Sequence, residues 1–484
     1  MKILFYFENT ESLGIEYLSA FLKRHGHETD LIFHPKFGDN PYFRMPLIDS
    51  VIGVDDRALI EKAKRFNPDL LAFSTNITIH SSARKMARML KESLGVPAVV
   101  GGHAVEAMPE IVAEDPVFDY VILGEGEDAL LELVEALEKG RDPSDIRNLW
   151  FRKNGSIVKN PLRPLVSDLD TLPFPDRDIF ARNGGLHGFI TGSRGCPFKC
   201  SFCASCIMWD SYKGKGSWYR VRSPEKVVDE CVVLKEKYGF DFIHFYDDTF
   251  PLKMKWLDVF CADYKKRIGL PFDIILQPIY AKSQQIKMLA DAGCVQVNIG
   301  IQSGDARVSK ELLNRPEEQG HIREAVRIVK EVGIKINSDI MLGFPDETRE
   351  EIWNTVKFMR ELKPDTIHTA FFFPLPGTPL AKYTEERGYV KKGWEKEISD
   401  DRFSFNFTGV FNHPEKVLIR NLKALLPLFA LLPDRAWDML PLLTKNRVEP
   451  LFQVLYMASL PFLDPPAFDT YWERFTGSVF KRFK

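Results

Sequence analysis

The sequence predicts an α/β protein built from two successive β/α alternations and closed by an apolar helical tail. Three observations carry the prediction. Short apolar runs alternate with helical patterns from the first residues; one proline-rich stretch interrupts them; and a second alternation then resumes with four cysteines behind its first strand. At 484 residues the chain is too long for one ordinary core. The expected division is a doubly wound domain over 1–140, a linker over 141–185, a (β/α) domain over 186–390 and a small helical domain over 391–484.

In the first domain "KILFYF", "ETDLIF", "LLAFS", "PAVVGG" and "YVILGEGE" read as strands. "IEYLSAFLKRHG", "RALIEKAKRF", "SARKMARMLKESLG" and "DALLELVEALEKG" read as helices, with Gly and Asn at the joins. Strict alternation implies a parallel, doubly wound sheet, which takes its ligands at the carboxyl ends of its strands. The loops at Ser74–Asn76, Gly101–His103 and Gly124–Glu127 stand at such ends.

The linker "NPLRPLVSDLDTLPFPDRDIF" carries Pro161, Pro164, Pro173 and Pro175 and little periodicity, so it reads as an extended crossover. The second alternation offers "LHGFITG", "FIHFYDD", "FDIILQP", "VQVNIGIQSG", "KINSDIMLGFP" and "TIHTAFFFPLPG" as strands, with helices such as "SPEKVVDECVVLKEKYG" between them. Six such units predict a partial (β/α)6 barrel with its chemistry on the loops after the strands. In the tail, "PEKVLIRNLKALLPLFALL" and "RVEPLFQVLYMASLPFL" are apolar helical patterns broken by proline. Phe429, Phe452, Tyr456, Phe462 and Phe468 there suit a core, a greasy substrate pocket or a membrane surface.

Composition narrows the function classes. Lys plus Arg (65) nearly balances Asp plus Glu (67) and no basic tract stands out, so no nucleic-acid partner is expected. The opening "MKILFYFENTESLG" turns acidic too soon for an export signal, and no apolar run reaches the roughly 18 residues of a membrane span. A cytoplasmic protein with reduced thiols is the expectation.

"RGCPFKCSFCASC" holds four of the seven cysteines. In reduced surroundings a metal or cluster is the natural use of such a loop. Cys196, Cys200 and Cys203 form C-x3-C-x2-C. Three thiolates from one loop can hold three irons of a four-iron four-sulfur cube and leave the fourth open to an amino-carboxylate chelate. A zinc site wants two paired C-x2-C units. Cys203 and Cys206 make one such unit, but Cys231, Cys261 and Cys294 lie singly in apolar or helical patterns. Cys206 could also serve as a fourth ligand and close the cluster.

This spacing, with Phe202 before the last cysteine, resembles the radical S-adenosylmethionine (SAM) superfamily, in which SAM chelates the open iron and is cleaved to a 5′-deoxyadenosyl radical. The resemblance runs over most of residues 1–390. "DDTF" from Asp247, "GIQSGD" with Gln302 and Ser303, "DIMLGFPDET" with Gly343, and "PLPGTPL" follow successive strands in the superfamily's order. It implies SAM contacts from Phe202, Asp247, Gln302, Ser303 and Gly343. One departure is "QPIYAKS", where Tyr280 stands in place of the arginine of many relatives.

The first domain resembles the cobalamin-binding domains of one radical-SAM branch. The likeness rests on "FSTNIT", "VVGGH" and "DYVILGEGE". It implies a cobalamin nucleotide tail lodged among Ser74, Thr75, Gly101, Gly102, His103, Gly124 and Glu125, where absent side chains admit a flat base. The D-x-H-x-x-G of many such domains is replaced by "NTESLG", with Asn9, Glu11 and Gly14 at its fixed positions. A carboxylate is a poor ligand for cobalt beside imidazole. Cobalamin bound base-off with no protein histidine is therefore expected, unless the domain keeps the fold and binds nothing.

The branch implies methylation of an unactivated carbon of a small-molecule substrate, fed by an external electron donor such as flavodoxin or ferredoxin. It also resembles the anaerobic magnesium-protoporphyrin ester cyclase, so oxidative cyclisation is a rival. Methylthio transfer would need upstream cysteines, and none precedes Cys196. A non-catalytic cobalamin carrier or sensor is the alternative outside enzymes.

Overall fold

A computed structural model describes residues 1–8, 10–34, 55–399 and 413–445. It contains two mainly parallel sheets, in the order of the two alternations. In the first, β1 (Lys2–Glu8), β2 (Glu28–His34), β3 (Leu70–Ser74), β4 (Ala98–Gly101) and β5 (Tyr120–Ile122) run parallel in the order β2-β1-β3-β4-β5. The order reverses between β1 and β3, which opens a ligand crevice at their carboxyl ends. Helices Leu13–Arg24, Asp56–Phe66, His80–Leu94 and Glu127–Glu138 flank the strands. Ile3, Leu4, Phe5 and Tyr6 of β1 are each at most 1% exposed. Burial on both faces is why these strands read as unbroken apolar runs.

The sheet does not stop at β5. A hairpin of β6 (Leu149–Lys153) and β7 (Ser156–Lys159) adds antiparallel to β5, within residues 141–185 assigned to the linker and just before its proline-rich stretch. Asn154 and Gly155 turn it with φ of 51° and 78°, the left-handed pair of a type I′ turn.

After the prolines the chain enters β8 (Phe189–Ile190), then β9 (Ser193–Arg194), which pairs antiparallel with β10 (Arg220–Val221). The second sheet continues with β11 (Ile243–Phe245), β12 (Phe272–Ile275), β13 (Cys294–Gln302), β14 (Lys335–Leu342) and β15 (Thr366–Phe371). All are parallel, in the order β15-β14-β13-β12-β11-β8, the expected six-unit open barrel. Ile243, Phe272, Ile274, Val297, Ile299 and Ile336 are fully buried under the helices. Period-two geometry turns the residues between them to the barrel lumen.

Of the apolar tail, helix Lys416–Phe429 buries Leu418, Ile419, Leu422, Leu425, Leu426 and Phe429 in the same core as the barrel. Phe452, Tyr456, Phe462 and Phe468 lie outside the described residues. Among the described residues no helix is long and apolar enough to cross a membrane.

Candidate functional site

The cysteine loop joins β9 to helix Ala204–Ser211. Cys203 is that helix's N-cap, with its Sγ accepting from Ser205 N at 3.5 Å. The loop is pinned on several sides. Ser201 N donates to Leu313 O, Leu380 N donates to Ser201 O, and Trp209 Nε1 donates to Cys196 O at 2.8 Å. The Thr249 hydroxyl lies 3.4 Å from Cys196 Sγ. Burial pushes the Cys200 and Cys203 thiols up to about 11 and raises that of Cys196. Cys196 and Cys200 are close enough to Cys203 to raise it further, as like charges do.

Three thiols on one hydrogen-bonded loop, Cys200 buried and Cys196 and Cys203 half-buried, suit a cluster, whose irons would stabilise the thiolates that burial disfavours. Among the described residues no three His, Cys, Asp or Glu side chains converge on a point as a single-ion site would require. Thiols that each take a different iron of a cube have no such need. Cys206 lies in the first turn of the helix, 4% exposed, and burial raises its thiol to about 11.

The loops that carry the other motifs follow the carboxyl ends of parallel strands β11, β13 and β14 of the same barrel. Asp247, 1% exposed, accepts from Gly192 N at 3.1 Å and from Ser193 Oγ. Burial pushes its carboxyl up to about 7. Both its oxygens therefore anchor the strand leading into the cysteine loop, and the adjacent Asp248 is the exposed carboxylate of "DDTF". Gln302 has a φ of 66° and sits at the register shift between β13 and β14. Ser303 is buried, with Oγ accepting from Asp305 N at 3.2 Å. Gly343 N donates to Glu347 Oε2 at 2.7 Å. Phe202 packs half-buried against the main core.

In the first domain, Ser74, Thr75, Gly101, Gly102 and His103 form one turn at the ends of β3 and β4. Thr75 N donates to Gly101 O at 2.9 Å and Ala104 N donates to Thr75 O at 3.0 Å. Gly102 has a φ of 95°, and a Cβ there would lie 2.6 Å from Thr75 O. Its close approach is thus to the turn's own backbone. Gly101 has an Ile122 carbonyl 3.4 Å from such a Cβ. Exposed backbone of this kind at the carboxyl ends of a doubly wound sheet fits a cobalamin tail. Glu11, at the position of the missing cobalt histidine, is turned away. Its Oε1 accepts from Arg177 Nη1, and its Oε2 accepts from His187 N at 2.6 Å. Asn9 lies outside the described residues.

The two sites touch. Helix His103–Ala107 packs on helix Ala204–Ser211, with Ala107 O and Ile207 Cδ1 both against Gly377. His103 lies near enough to Asp248 to lower its carboxyl pKa against the larger rise from burial. Glu125 holds the joint. Its Oε1 accepts from Arg194 at 3.0 Å and Arg220 at 2.9 Å, and its Oε2 accepts from Arg220 at 3.0 Å and Val166 N at 2.8 Å. Its neighbour Gly124 faces Tyr212 of the barrel, whose hydroxyl accepts from Glu125 N at 3.3 Å.

Arg315 is a site residue that sequence reasoning passes over. Its side chain is 5% exposed, its Nη2 donates to Gly300 O at 2.6 Å, and it lies 3.1 Å from Glu317. Its charge lowers the Cys196 and Cys200 pKa values, though burial dominates. Tyr280, at the missing-arginine position, stacks on Phe198 of the cysteine loop with ring centroids 5.6 Å apart.

Family comparison agrees with this geometry. The Radical SAM superfamily model matches residues 190–359 and the B12 binding domain model residues 7–134. An uncharacterized methyltransferase of Pyrococcus horikoshii is 31% identical over 70% of this chain and 74% of its own length. The anaerobic magnesium-protoporphyrin IX monomethyl ester cyclase of Rubrivivax gelatinosus is 27% identical over 78% of this chain and 69% of its own. The radical SAM methyltransferase TsrM from Kitasatospora setae, solved with cobalamin and a [4Fe-4S] cluster, superposes with a TM-score of 0.65. It covers 81% of this chain and 76% of TsrM at 18% identity, which speaks for the fold.

Proposed function

The chain belongs to the radical SAM superfamily and joins a B12 binding domain to its barrel, and from that premise we propose that it methylates an unactivated carbon of a small molecule. The observation that carries the proposal is the contact of the two sites: helix His103–Ala107, which starts at the Gly101–Gly102 turn, packs on the cysteine-loop helix Ala204–Ser211. When bound, the cluster with SAM supplies the radical and cobalamin supplies the methyl group.

Cys196, Cys200 and Cys203 would hold the cluster, and Thr249 would hydrogen-bond the Cys196 sulfur. Arg315, a buried cation beside those cysteines, would meet the carboxylate of SAM in place of the arginine that Tyr280 replaces. Asp248, Gln302, Ser303 and Gly343 would line the rest of the SAM pocket, with Asp247 fixing the loop behind it. Ser74, Thr75, Gly101 and Gly102 would seat the cobalamin tail. Glu11 is committed to Arg177 and the His187 amide, so the position of the missing histidine would supply no ligand to cobalt. An electron donor such as flavodoxin or ferredoxin and a cytoplasmic location complete the reading.

Anaerobic turnover with methyl-deuterated SAM, read by mass spectrometry, tests it. A product carrying the labelled methyl, with S-adenosylhomocysteine and 5′-deoxyadenosine in equal amounts, is expected. The kinship with the cyclase favours one other reading, oxidative ring closure. That reaction would give 5′-deoxyadenosine with neither homocysteine product nor methyl gain.

A further inference from the structure

A barrel interior is ordinarily filled by layers of Val, Ile and Leu. Here the lumen carries a connected polar layer, with at least one side chain from each of five adjacent strands. His244 Nδ1 on β11 lies 3.2 Å from Asp273 Oδ1 on β12. Asn298 Nδ2 on β13 is 3.5 Å from Asp273 Oδ2, and Asn337 Nδ2 on β14 donates to Asn298 Oδ1 at 2.8 Å. Thr366 Oγ1 on β15 donates to Asn337 Oδ1 at 2.7 Å. Sheet register sets His244 beside Asp273, Asn298 beside Asn337 and Asn337 beside Thr366. Polar groups in a barrel are costly unless satisfied, and a linked set holds its members in fixed orientations.

Above one end of this layer stands an aromatic wall. Tyr246 is 62% exposed, the most exposed aromatic side chain among the large apolar residues of the described structure. Its ring stacks on Phe189 with centroids 4.8 Å apart at 27°. Phe189 meets His244 edge-on at 6.1 Å, and the Phe242 ring lies 4.6 Å from His244, tilted at 39°. The wall thus holds one open ring face, that of Tyr246, beside a ring edge that can hydrogen-bond, that of His244. The Asp273 carboxylate accepts only, so it places a proton on His244 Nδ1, and an imidazole with that single proton offers Nε2 as an acceptor.

Resting on the reading of this barrel as the substrate-holding domain, we propose that the lumen recognises a flat unsaturated ring that lies on Tyr246 and donates an N–H or O–H to His244, with Asp273 as the residue that orients His244. The Asp248, Asp273 and Asp339 carboxylates lie within electrostatic reach of the Tyr246 phenol, so the pocket also repels acidic substituents at that end. This makes Tyr246 and His244 the specificity-determining pair.

The test uses two bicyclic probes of nearly the same shape, indole and benzothiophene, of which only indole has an N–H. Calorimetric titration of the full-length, cluster-reconstituted protein should show indole bound roughly tenfold tighter than benzothiophene, the worth of one hydrogen bond. His244→Leu should remove the preference while benzothiophene still binds. Asp273→Asn should weaken the preference, since the amide can donate to Nδ1 and turn the acceptor edge. Tyr246→Leu should weaken both probes alike. Equal affinity of the two probes for the wild type, no binding of either, or a preference surviving in His244→Leu would each overturn the assignment. Iron content and thermal midpoint check that the variants fold. Protein that binds indole selectively but makes no 5′-deoxyadenosine keeps the lumen assignment and loses the proposed reaction; the opposite result loses only the lumen assignment.

Discussion

Arg177, from the proline-rich crossover, forms a buried ion pair with Glu11, the residue at the position where many cobalamin domains carry their cobalt histidine. The same guanidinium meets Glu16 at 2.7 Å and Glu230 of the barrel, and Arg222 completes the group at 2.7 Å from Glu230. Three carboxylates and two guanidiniums thus join the first domain, the crossover and the barrel. A position that elsewhere serves the cofactor serves here to fix one domain against the other.

Glu11→His should therefore not create a cobalt ligand. The side chain at 11 points into the joint, bounded by the amides of His187 and Phe189. Electron paramagnetic resonance of the Co(II) form should show no nitrogen splitting from below in either wild type or variant. Glu11→Gln leaves two carboxylates to two guanidiniums but sets an amide NH2 against either Arg177 or the His187 and Phe189 N–H groups, and a buried donor left unsatisfied costs about 1–3 kcal/mol. A lowered urea midpoint, with cobalamin still bound, is the expected result. A nitrogen signal in Glu11→His would show that the joint opens.

Cys196→Ala, Cys200→Ala and Cys203→Ala should each lose most of the cluster iron and all SAM cleavage, because an open iron needs three thiolates on the others. Cys206→Ala should keep both, as that thiol packs in the helix as a small apolar group. Iron assay and chromatography of 5′-deoxyadenosine check this. Loss of cluster in Cys206→Ala would mean a closed, four-cysteine site.

Both alternations were legible because strands covered on both faces become continuous apolar runs, and the cysteine loop was legible because its ligands are local. The hairpin at Asn154–Gly155 also has a local signal, the Asn-Gly pair of a type I′ turn between two short β-type runs. The joint was not legible: Arg177 and Glu11 are 166 residues apart, Arg177 and Glu230 are 53 apart, and no periodicity marks an ion pair at such range. Arg315 was hidden for the same reason. The polar lumen does show as His244, Asp273, Asn298, Asn337 and Thr366 alternating with apolar residues in their strands. That pattern alone cannot distinguish a lumen from a solvated face.

Acid should weaken the first domain through His80. This imidazole is 1% exposed, lies 3.3 Å from the Thr75 hydroxyl in the turn below β3, and has its pKa lowered to about 4 by burial. The unfolded chain then binds a proton near pH 6.5 that the folded one refuses. The stability held above pH 6.5 is lost as pH falls toward 4, by up to roughly 3 kcal/mol. His80→Phe should flatten that stretch of the curve of urea midpoint against pH. An unchanged slope would mean that His80 is protonated in the fold.

Gly124 and Tyr212 offer the sharpest test of coupling between the two sites. A Cβ at Gly124 would fall 1.6 Å from Tyr212 Oη and 2.8 Å from its Cζ, and Gly124 has a φ of 70°. Gly124→Ala must displace Tyr212, which follows helix Ala204–Ser211 and hence the cysteine loop. Backbone strain at a left-handed position costs of order 1 kcal/mol by itself and stays whatever the neighbour is. The steric part belongs to the pair and disappears when Tyr212 is cut back. Gly124→Ala should thus lower both cobalamin affinity and the yield of reconstituted cluster, while Tyr212→Leu alone should disturb them less. The double variant should recover part of both losses, with a coupling of roughly 1–2 kcal/mol in the thermodynamic cycle. Simple additivity would mean that the loop at Gly124 and the cysteine loop adjust independently, and the contact would then be packing without communication.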